Sequence, residues 1–406
     1  MGVEICRRMR YTDTYMPDCA PNIHGRQSEN GKPGEIMMEL CAPCLFGIEG
    51  IVGDELRRMG ADNVRPENGR VRFSGDAAML ARANIQSRCA ERIQIFMGSF
   101  AAHSFEELFE GVRELPWERW IGRTDRFPVK GWSLNSDLHS IPDCQSIIKK
   151  AVVERLKDVY GISWFEETGP LVQIQFTILK NEASLLIDTS GAGLHKRGYR
   201  EKAGGAPIKE TLAAAIVDLT RARKASICCD PCCGSGTLLI EAALSAKRIA
   251  PGIRRKFAAM AWQTIPETVW QTERRRARDL ECRDIPFSAI GGDIDPACVA
   301  LTRENAVKAG VGECVTAEVR DVRTFRYPGD GGVVLCNPPY GERMLDVEGA
   351  RELYRIMGRV MPAVPHWSRA VISPDEEFET CFGHPADKRR KLYNGMLKCQ
   401  LYMYFK

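Results

Sequence analysis

Residues 332 to 344 read GVVLCNPPYGERM, in which Asn337, Pro338, Pro339, Tyr340 and Gly341 follow an apolar run. An aromatic exocyclic amine is a poor nucleophile because its lone pair is delocalised into the ring. A site that accepts hydrogen bonds from both N–H groups turns that lone pair toward an electrophilic carbon. Asn337 offers a side-chain oxygen for this, and Pro338 a backbone carbonyl. Proline fixes φ and biases the residue before it toward extended geometry, so the Pro338-Pro339 pair would hold both acceptors rigidly at the end of a strand. Tyr340 can stack on a flat base, and Gly341 leaves room for the turn. The bland alternative is a proline turn after a strand. No strong base is demanded, because the amine turns cationic in the transition state and then loses a proton readily.

Three upstream stretches bear on the electrophile. Asp230 to Leu244, DPCCGSGTLLIEAAL, reads as a strand end, a glycine turn and a helix, with Gly234 and Gly236 removing Cβ atoms where the backbone must approach a ligand. A dinucleotide fingerprint needs a third glycine where Leu239 stands, and a phosphate loop needs a Gly-Lys-Ser/Thr that is absent. What remains is a turn for a nucleoside without a pyrophosphate, with Asp230 able to contact its polar head. GGDIDPACVALTRENAVKAG places Asp293 where an acid could accept both ribose hydroxyls; Asp295 equally suits a helix N-cap. VRDVRTF ends a third strand at Asp321, which could accept from an adenine amine, although an isolated Asp there is more often a turn residue. Glycine loop, ribose acid and adenine acid in this order are what S-adenosylmethionine enzymes use, and the sulfonium would drive the reaction.

Periodicity gives the elements that must hold these residues. From about 196 to 406 short apolar strands alternate with helices, the pattern of a mostly parallel sheet covered on both faces: SICCDPC, SAIGGDID, VTAEVRD, GVVLCNPP and RAVISP. In the tail KLYNGMLKCQLYMYF, Asn394-Gly395 separates two apolar runs, so an antiparallel hairpin should close the sheet. Residues 35–100 read as a small α+β unit: strand EIMMELCA, a helix stopping at Gly60, strand GRVRFSG, helix DAAMLARANIQ and strand RIQIFMGSF. Residues 101–195 read as a second, with strand RFPVKGWSLNSD, a long helix IPDCQSIIKKAVVERLKDVYG and a hairpin turning at Asn181. Neither carries an enzyme motif, which suits substrate delivery. Residues 1–34 have little to bury and are expected to be poorly ordered.

Composition adds few constraints. With 57 Lys and Arg against 53 Asp and Glu, the net charge of +4 does not by itself select a polyanion. Arg254-Arg255-Lys256, Arg274-Arg275-Arg276 with Arg278, and Lys388-Arg389-Arg390-Lys391 are each solvated faces before they are phosphate contacts. No stretch reaches the roughly 18 apolar residues of a membrane helix, and the N-terminus lacks a signal-peptide core, so a cytoplasmic protein without membrane association is expected. The 16 cysteines then read as reduced thiols. Cys41, Cys44 and the group Cys228, Cys229, Cys232 and Cys233 lack a second CxxC or a paired-His partner at zinc spacing, so no metal is expected.

The motifs GLHKRGYR (193–200), APIKETLAAAIV (206–217), DPCCGSGTLLIEAA (230–243), NPPYGER (337–343) and ADKRRKLYNGMLKC (386–399) occur in this order. Over about residues 35–406 the chain resembles the THUMP-domain bacterial 23S rRNA guanine-N2 methyltransferases. The resemblance implies a Rossmann-like class I S-adenosylmethionine methyltransferase domain at 196–406. Ahead of it would stand a ferredoxin-like α+β module at 35–100, a THUMP RNA-binding module at 101–195 and an extension at 1–34 without counterpart. It implies methylation of a guanosine N2 amine, with S-adenosyl-L-methionine held by Asp230, Cys232, Gly234, Gly236, Asp293, Asp321 and Asn337. Asn337, Pro338 and Tyr340 would hold the target base. Cys232 stands in a loop position where other small residues are common. The chain ends at Lys406, which matches a form with a single catalytic domain. RNA, either 23S rRNA or a large-subunit precursor particle, would be the partner, gripped by backbone contacts, with Lys388, Arg389, Arg390 and Lys391 contributing while the target base leaves its stack. No obligate protein partner is inferred.

The Asn-Pro-Pro-Tyr signature also fits adenine N6 in DNA or a glutamine side chain in protein, and the two α+β modules ahead of it are what favour RNA. A tRNA guanine-N2 methyltransferase and a slow or non-catalytic RNA-binding assembly factor are the other readings. A nicotinamide-dependent reductase is disfavoured by the glycine spacing.

Overall fold

The structure, a computed structural model, describes residues 37–200, 208–340 and 346–405. The extension at 1–34 and Gly341 lie outside the described residues. The first half contains β1 (Met38–Pro43), α1 (Glu49–Met59), β2 (Asp62–Glu67), β3 (Arg70–Gly75), α2 (Ala77–Gln86), β4 (Gln94–Ala101), α3 (Phe105–Arg113), β5 (Val129–Leu134), α4 (Ile141–Tyr160), β6 (Gln173–Leu179) and β7 (Glu182–Asp188). Local chemistry sets several boundaries. Glu49 in the first turn of α1 and Arg57 and Arg58 in the last complement the helix dipole, and Gly60 closes it at φ 90. Lys180 and Asn181, both at positive φ, turn β6 into β7.

One sheet runs through both α+β units, in the order β2-β3-β1-β4-β7-β6-β5. The sequence suggests separate units parting near residue 100. In the structure β4 instead pairs with β7 from Gln94 opposite Asp188 to Ala101 opposite Glu182. The reason is the second edge of β4: once β1 covers one side, the other would expose a row of unpaired backbone groups. Two elements escaped the periodicity. The edge strand β2 is polar (DNVRPE) and shows no apolar alternation. The other, α3, is short, yet Ser104 Oγ accepts from Glu107 N at 3.2 Å and Glu107 accepts from the His103 N–H at 2.6 Å, an N-terminal cap whose Ser-x-x-Glu spacing stood in the sequence.

The second half contains α5 (Glu210–Leu219), β8 (Ile227–Asp230), α6 (Thr237–Ala246), α7 (Glu267–Asp279), β9 (Ser288–Asp293), α8 (Pro296–Ala309), β10 (Val315–Val319), β11 (Gly332–Cys336), α9 (Val347–Val360), β12 (Trp367–Ser373), α10 (Phe378–Phe382), β13 (Lys388–Asn394) and β14 (Leu397–Tyr404). Their order is β10-β9-β8-β11-β12-β14-β13, parallel from β10 to β12 and antiparallel over the last two strands. β8 and β11 are buried almost throughout, as strands covered on both faces must be. From β8 the chain moves outward to β9 on one side and later returns to β11 on the other. The strand order reverses there, which opens a crevice at the carboxyl ends of β8 and β11. The tail hairpin forms, but its two central residues are Gly395, at φ 65, and Met396; Asn394 still pairs with Leu397.

The halves meet through buried charge. Arg82 of α2 grips Glu273 of α7 at 2.7 and 2.8 Å. In the GLHKRGYR segment Arg197 reaches Leu194 O at 2.7 Å, Glu241 Oε1 at 3.3 Å and the Arg88 carbonyl, while Tyr199 donates to Glu241 at 3.1 Å. Glu91 meets Lys209 at 3.1 Å and Thr211; burial raises its carboxyl, but His195, Thr211 and Lys209 together hold it down at about 2. Part of the basic runs serves this joint: Arg255 is buried and donates to Ala192 O at 2.7 Å, and burial pulls its guanidinium down to about 10.

Candidate active site

β8 delivers Asp230 to the crevice, and the glycine turn follows. Gly234 adopts φ 53, and a Cβ there would meet nothing within 4 Å, so the loop faces open space. Gly236, at φ 79, caps α6; a Cβ on it would lie 2.7 Å from the Thr302 methyl group. Two residues of α8 brace the turn from behind: Thr302 donates to Gly234 O at 2.8 Å and Asn305 to Ser235 O at 3.0 Å. Sequence reading missed both, because they lie on a helix about 70 residues away with no local signal.

The acids divide the work. Asp230 is 2% exposed, and burial pushes its carboxyl up to about 7; the Cys232 N–H at 3.1 Å lowers it, Asp293 raises it and the Cys336 thiol lowers it. Among the described residues it has no cationic partner. Asp293 accepts from Gly234 N at 2.9 Å and from Asp295 N at 3.0 Å, so it anchors the glycine turn. Asp295 is the N-cap of α8, accepting from Ala297 N at 2.8 Å, which decides the alternative left open by the sequence. Asp321 starts a short 3-10 turn and accepts from Arg323 N and Nη1, each at 2.8 Å, bonds that hold its carboxyl below the usual range. It is thus a turn residue, and it also lines a small pocket with Asp230, Pro231, Gly292, Val322 and Phe325 at the carboxyl ends of β8, β9 and β10. Ile294, 69% exposed beside Asp293, was not singled out by the sequence; an exposed apolar side chain among acids is the signal that finds it.

β11 carries the other half of the site. Val334 pairs with Cys229, which sets Asp230 and Asn337 at the same end of neighbouring strands. Asn337 Oδ1 is buried and has no hydrogen-bond partner among the described residues. An unpaired buried acceptor costs about 1–3 kcal/mol, so it marks a place where a donor is missing. Pro338 is buried behind it. Tyr340 is half-buried, and its hydroxyl accepts from Asn394 Nδ2 at 3.0 Å. A lone carboxyl, open space over a positive-φ glycine and an orphan amide oxygen fit a nucleoside with a cationic head beside an amine-bearing base.

The basic run on β13 is not uniform. Lys388 is exposed, and Lys391 lies with Nζ 5.4 Å from the Tyr393 ring centre. Arg389 is ion-paired with Glu379. Arg390, expected to grip RNA, directs its guanidinium to Gly47 O at 2.7 and 3.2 Å, because its strand face turns toward the first half of the chain. Among the described residues, no group of three or more His, Cys, Asp or Glu is arranged to hold a metal, and no helix is long and apolar enough to cross a membrane.

Comparison with known proteins places this architecture. Residues 197–403 match the UPF0020 family, described as RMKL-like methyltransferase domain; residues 39–94 match the RlmL ferredoxin-like domain and residues 102–188 the THUMP domain. The chain is 41% identical over 368 residues to "Putative RNA methyltransferase YpsC" of Bacillus subtilis (strain 168), covering 90% of this chain and 95% of that one. It is 34% identical over 378 residues to Ribosomal RNA large subunit methyltransferase K/L of Cellvibrio japonicus (strain Ueda107), covering 89% of this chain and only 50% of that protein. A Listeria monocytogenes str. 4b F2365 structure described as "a predicted N6-adenine-specific DNA methylase" superposes with a TM-score of 0.86 at 46% identity, covering 91% of this chain and 96% of that one. "SMU.472, a putative methyltransferase complexed with SAH" gives 0.86 at 40%, over 91% and 98%. With a ferredoxin-like and a THUMP domain ahead of a matching catalytic sheet, the chain belongs to the UPF0020, RMKL-like S-adenosylmethionine-dependent RNA methyltransferases.

Proposed function

We propose that this protein methylates the exocyclic N2 amine of a guanosine in 23S rRNA, in the cytoplasm, either on the free RNA or on a large-subunit precursor. The observation that carries the reading is the buried Asn337 Oδ1, an acceptor without an N–H donor among the described residues. S-adenosylmethionine supplies an electrophilic methyl carbon on a sulfonium. Asp230 would take its ammonium group, the backbone at Gly234 and Gly236 with the neighbouring Cys232 would leave it room, Asp293 would accept from the ribose hydroxyls, and Asp321 from the adenine amine beside the apolar Ile294. Asn337 Oδ1 and the Pro338 carbonyl accept the two N–H groups of the target amine and aim its lone pair, while Tyr340 stacks on the base. The nitrogen lone pair would form the new N–C bond as the methyl–sulfur bond breaks and its electron pair goes to sulfur, leaving S-adenosylhomocysteine, and one amine proton would pass to solvent, so no buried strong base is required. Lys388 and Lys391, with Arg389 shared with Glu379, form the remaining basic face for phosphates; Arg390 belongs to the joint.

The Listeria relative is described as acting on adenine N6 of DNA, which is the rival substrate for the same pair of acceptors. The THUMP match and the ribosomal RNA relative favour RNA. Nucleoside mass spectrometry of 23S rRNA from a strain lacking the protein should lose one N2-methylguanosine. An unchanged rRNA profile with N6-methyladenine lost from DNA, or N2-methylguanosine lost from tRNA, would replace this reading.

A further inference from the structure

We propose that Asn394 of the tail hairpin is a positioning residue for methyl transfer, and that the ferredoxin-like module acts on the chemistry through it. The inference rests on the reading of Tyr340 as the ring that stacks on the target base. An asparagine beside a hairpin turn ordinarily bonds the backbone of its own turn. Here Asn394 Nδ2 leaves the hairpin and donates to the Tyr340 hydroxyl at 3.0 Å, across 54 residues of chain. Burial raises the Tyr340 phenol, which keeps it a neutral hydroxyl, while the bond from Asn394 acts in the opposite direction. The bond pins the outer end of the ring.

The same hairpin is clamped from the other side by the first half of the chain. Arg390 donates twice to Gly47 O, at 2.7 and 3.2 Å, and the Phe46 ring meets Tyr393 edge-on at 6.1 Å. Gly47 sits at φ 93, and a Cβ there would lie 2.6 Å from the Lys391 carbonyl oxygen, so only glycine allows this approach. Glu49 holds the Gly47 N–H at 2.9 Å. Residues 390 to 394 of one strand therefore touch the delivery module at one end and Tyr340 at the other. A ring released at its hydroxyl can swing, and a misplacement of about 1 Å costs up to about 100-fold in rate.

The test is single-turnover methyl transfer from labelled S-adenosylmethionine to total RNA from a strain lacking the protein. Asn394→Ala and Tyr340→Phe should each slow the step about tenfold, and the double variant should be no slower than Tyr340→Phe. S-adenosylhomocysteine affinity, KM for RNA and the thermal midpoint should stay near wild type in Asn394→Ala. Gly47→Ala, which never touches the site, should slow the same step, with Asn394→Ala adding little on top. Wild-type turnover in Asn394→Ala, or losses in Asn394→Ala and Tyr340→Phe that multiply, overturns the inference. A fast Tyr340→Ala removes the stacking reading and the inference with it, whereas a slow Tyr340→Ala beside a fast Asn394→Ala sinks the positioning role alone.

Discussion

At the joint between the two halves Glu241 is fully buried yet receives Arg197 and Tyr199, whereas at the carboxyl edge of the second sheet Asp230 meets no cation and Asn337 Oδ1 no donor among the described residues. Both clusters take polar groups out of water, which is unfavourable in each case. The joint recovers most of the cost with partners supplied by the chain itself, although Arg88 Nη1 and Arg255 Nη1 find none among the described residues. The sheet edge leaves the cost standing, and the missing partners are what a substrate and a cationic donor would bring. Burial of charge alone therefore says little about function, and a lone unpartnered atom no more; Asp230 and Asn337 stand apart because they share the carboxyl end of neighbouring strands beside the glycine turn.

Removing one partner at each place should give opposite signs of stability change. Glu241→Ala strands the Arg197 guanidinium and should cost about 3–5 kcal/mol in urea denaturation. A silent variant would mean that the joint is not held by this pair. Asn337→Ala should lower the methyl-transfer rate about 100- to 1,000-fold while leaving the thermal midpoint equal or slightly higher, since it deletes an acceptor with nothing to accept. Loss of folding in that variant would make Asn337 a structural residue like Glu241. Asp230 gives a pH test. Its folded value of about 7 lies above the ordinary 3.8, so the folded chain holds the proton more tightly. The stability this provides is complete below about pH 4 and is lost as the pH rises through 7. Asp230→Asn should flatten that decline. Because an ammonium favours the ionised carboxyl, S-adenosylhomocysteine affinity measured by calorimetry should rise from pH 6 toward 7, at most about tenfold per pH unit, and Asp230→Asn should abolish the slope. The smallest effect falls outside both clusters: replacing Lys388 and Lys391 together by Ala should reduce the salt slope of RNA binding by about 1.4, two phosphate contacts' worth. An unchanged slope would return that face to plain solvation.

Much of the site was legible because its signals are local. The glycine turn after β8, the acids at successive strand ends and the Asn-Pro-Pro-Tyr stretch are each a few contiguous residues whose stiffness or lack of a side chain dictates backbone shape. The parallel order and the closing hairpin followed from apolar runs and one turn dipeptide, although that turn centres on Gly395-Met396 and frees Asn394 for Tyr340. The sequence by itself thus determined which residues stand at the carboxyl edge of the second sheet. Tertiary structure alone decided that β4 joins two modules into one sheet, that Asp295 caps while Asp293 holds the glycine turn, that Thr302 and Asn305 brace that turn, and that Arg390 serves a joint. Edge pairing and hydrogen-bond partners are settled between segments tens to hundreds of residues apart, and no local pattern of residue types encodes which distant group will arrive.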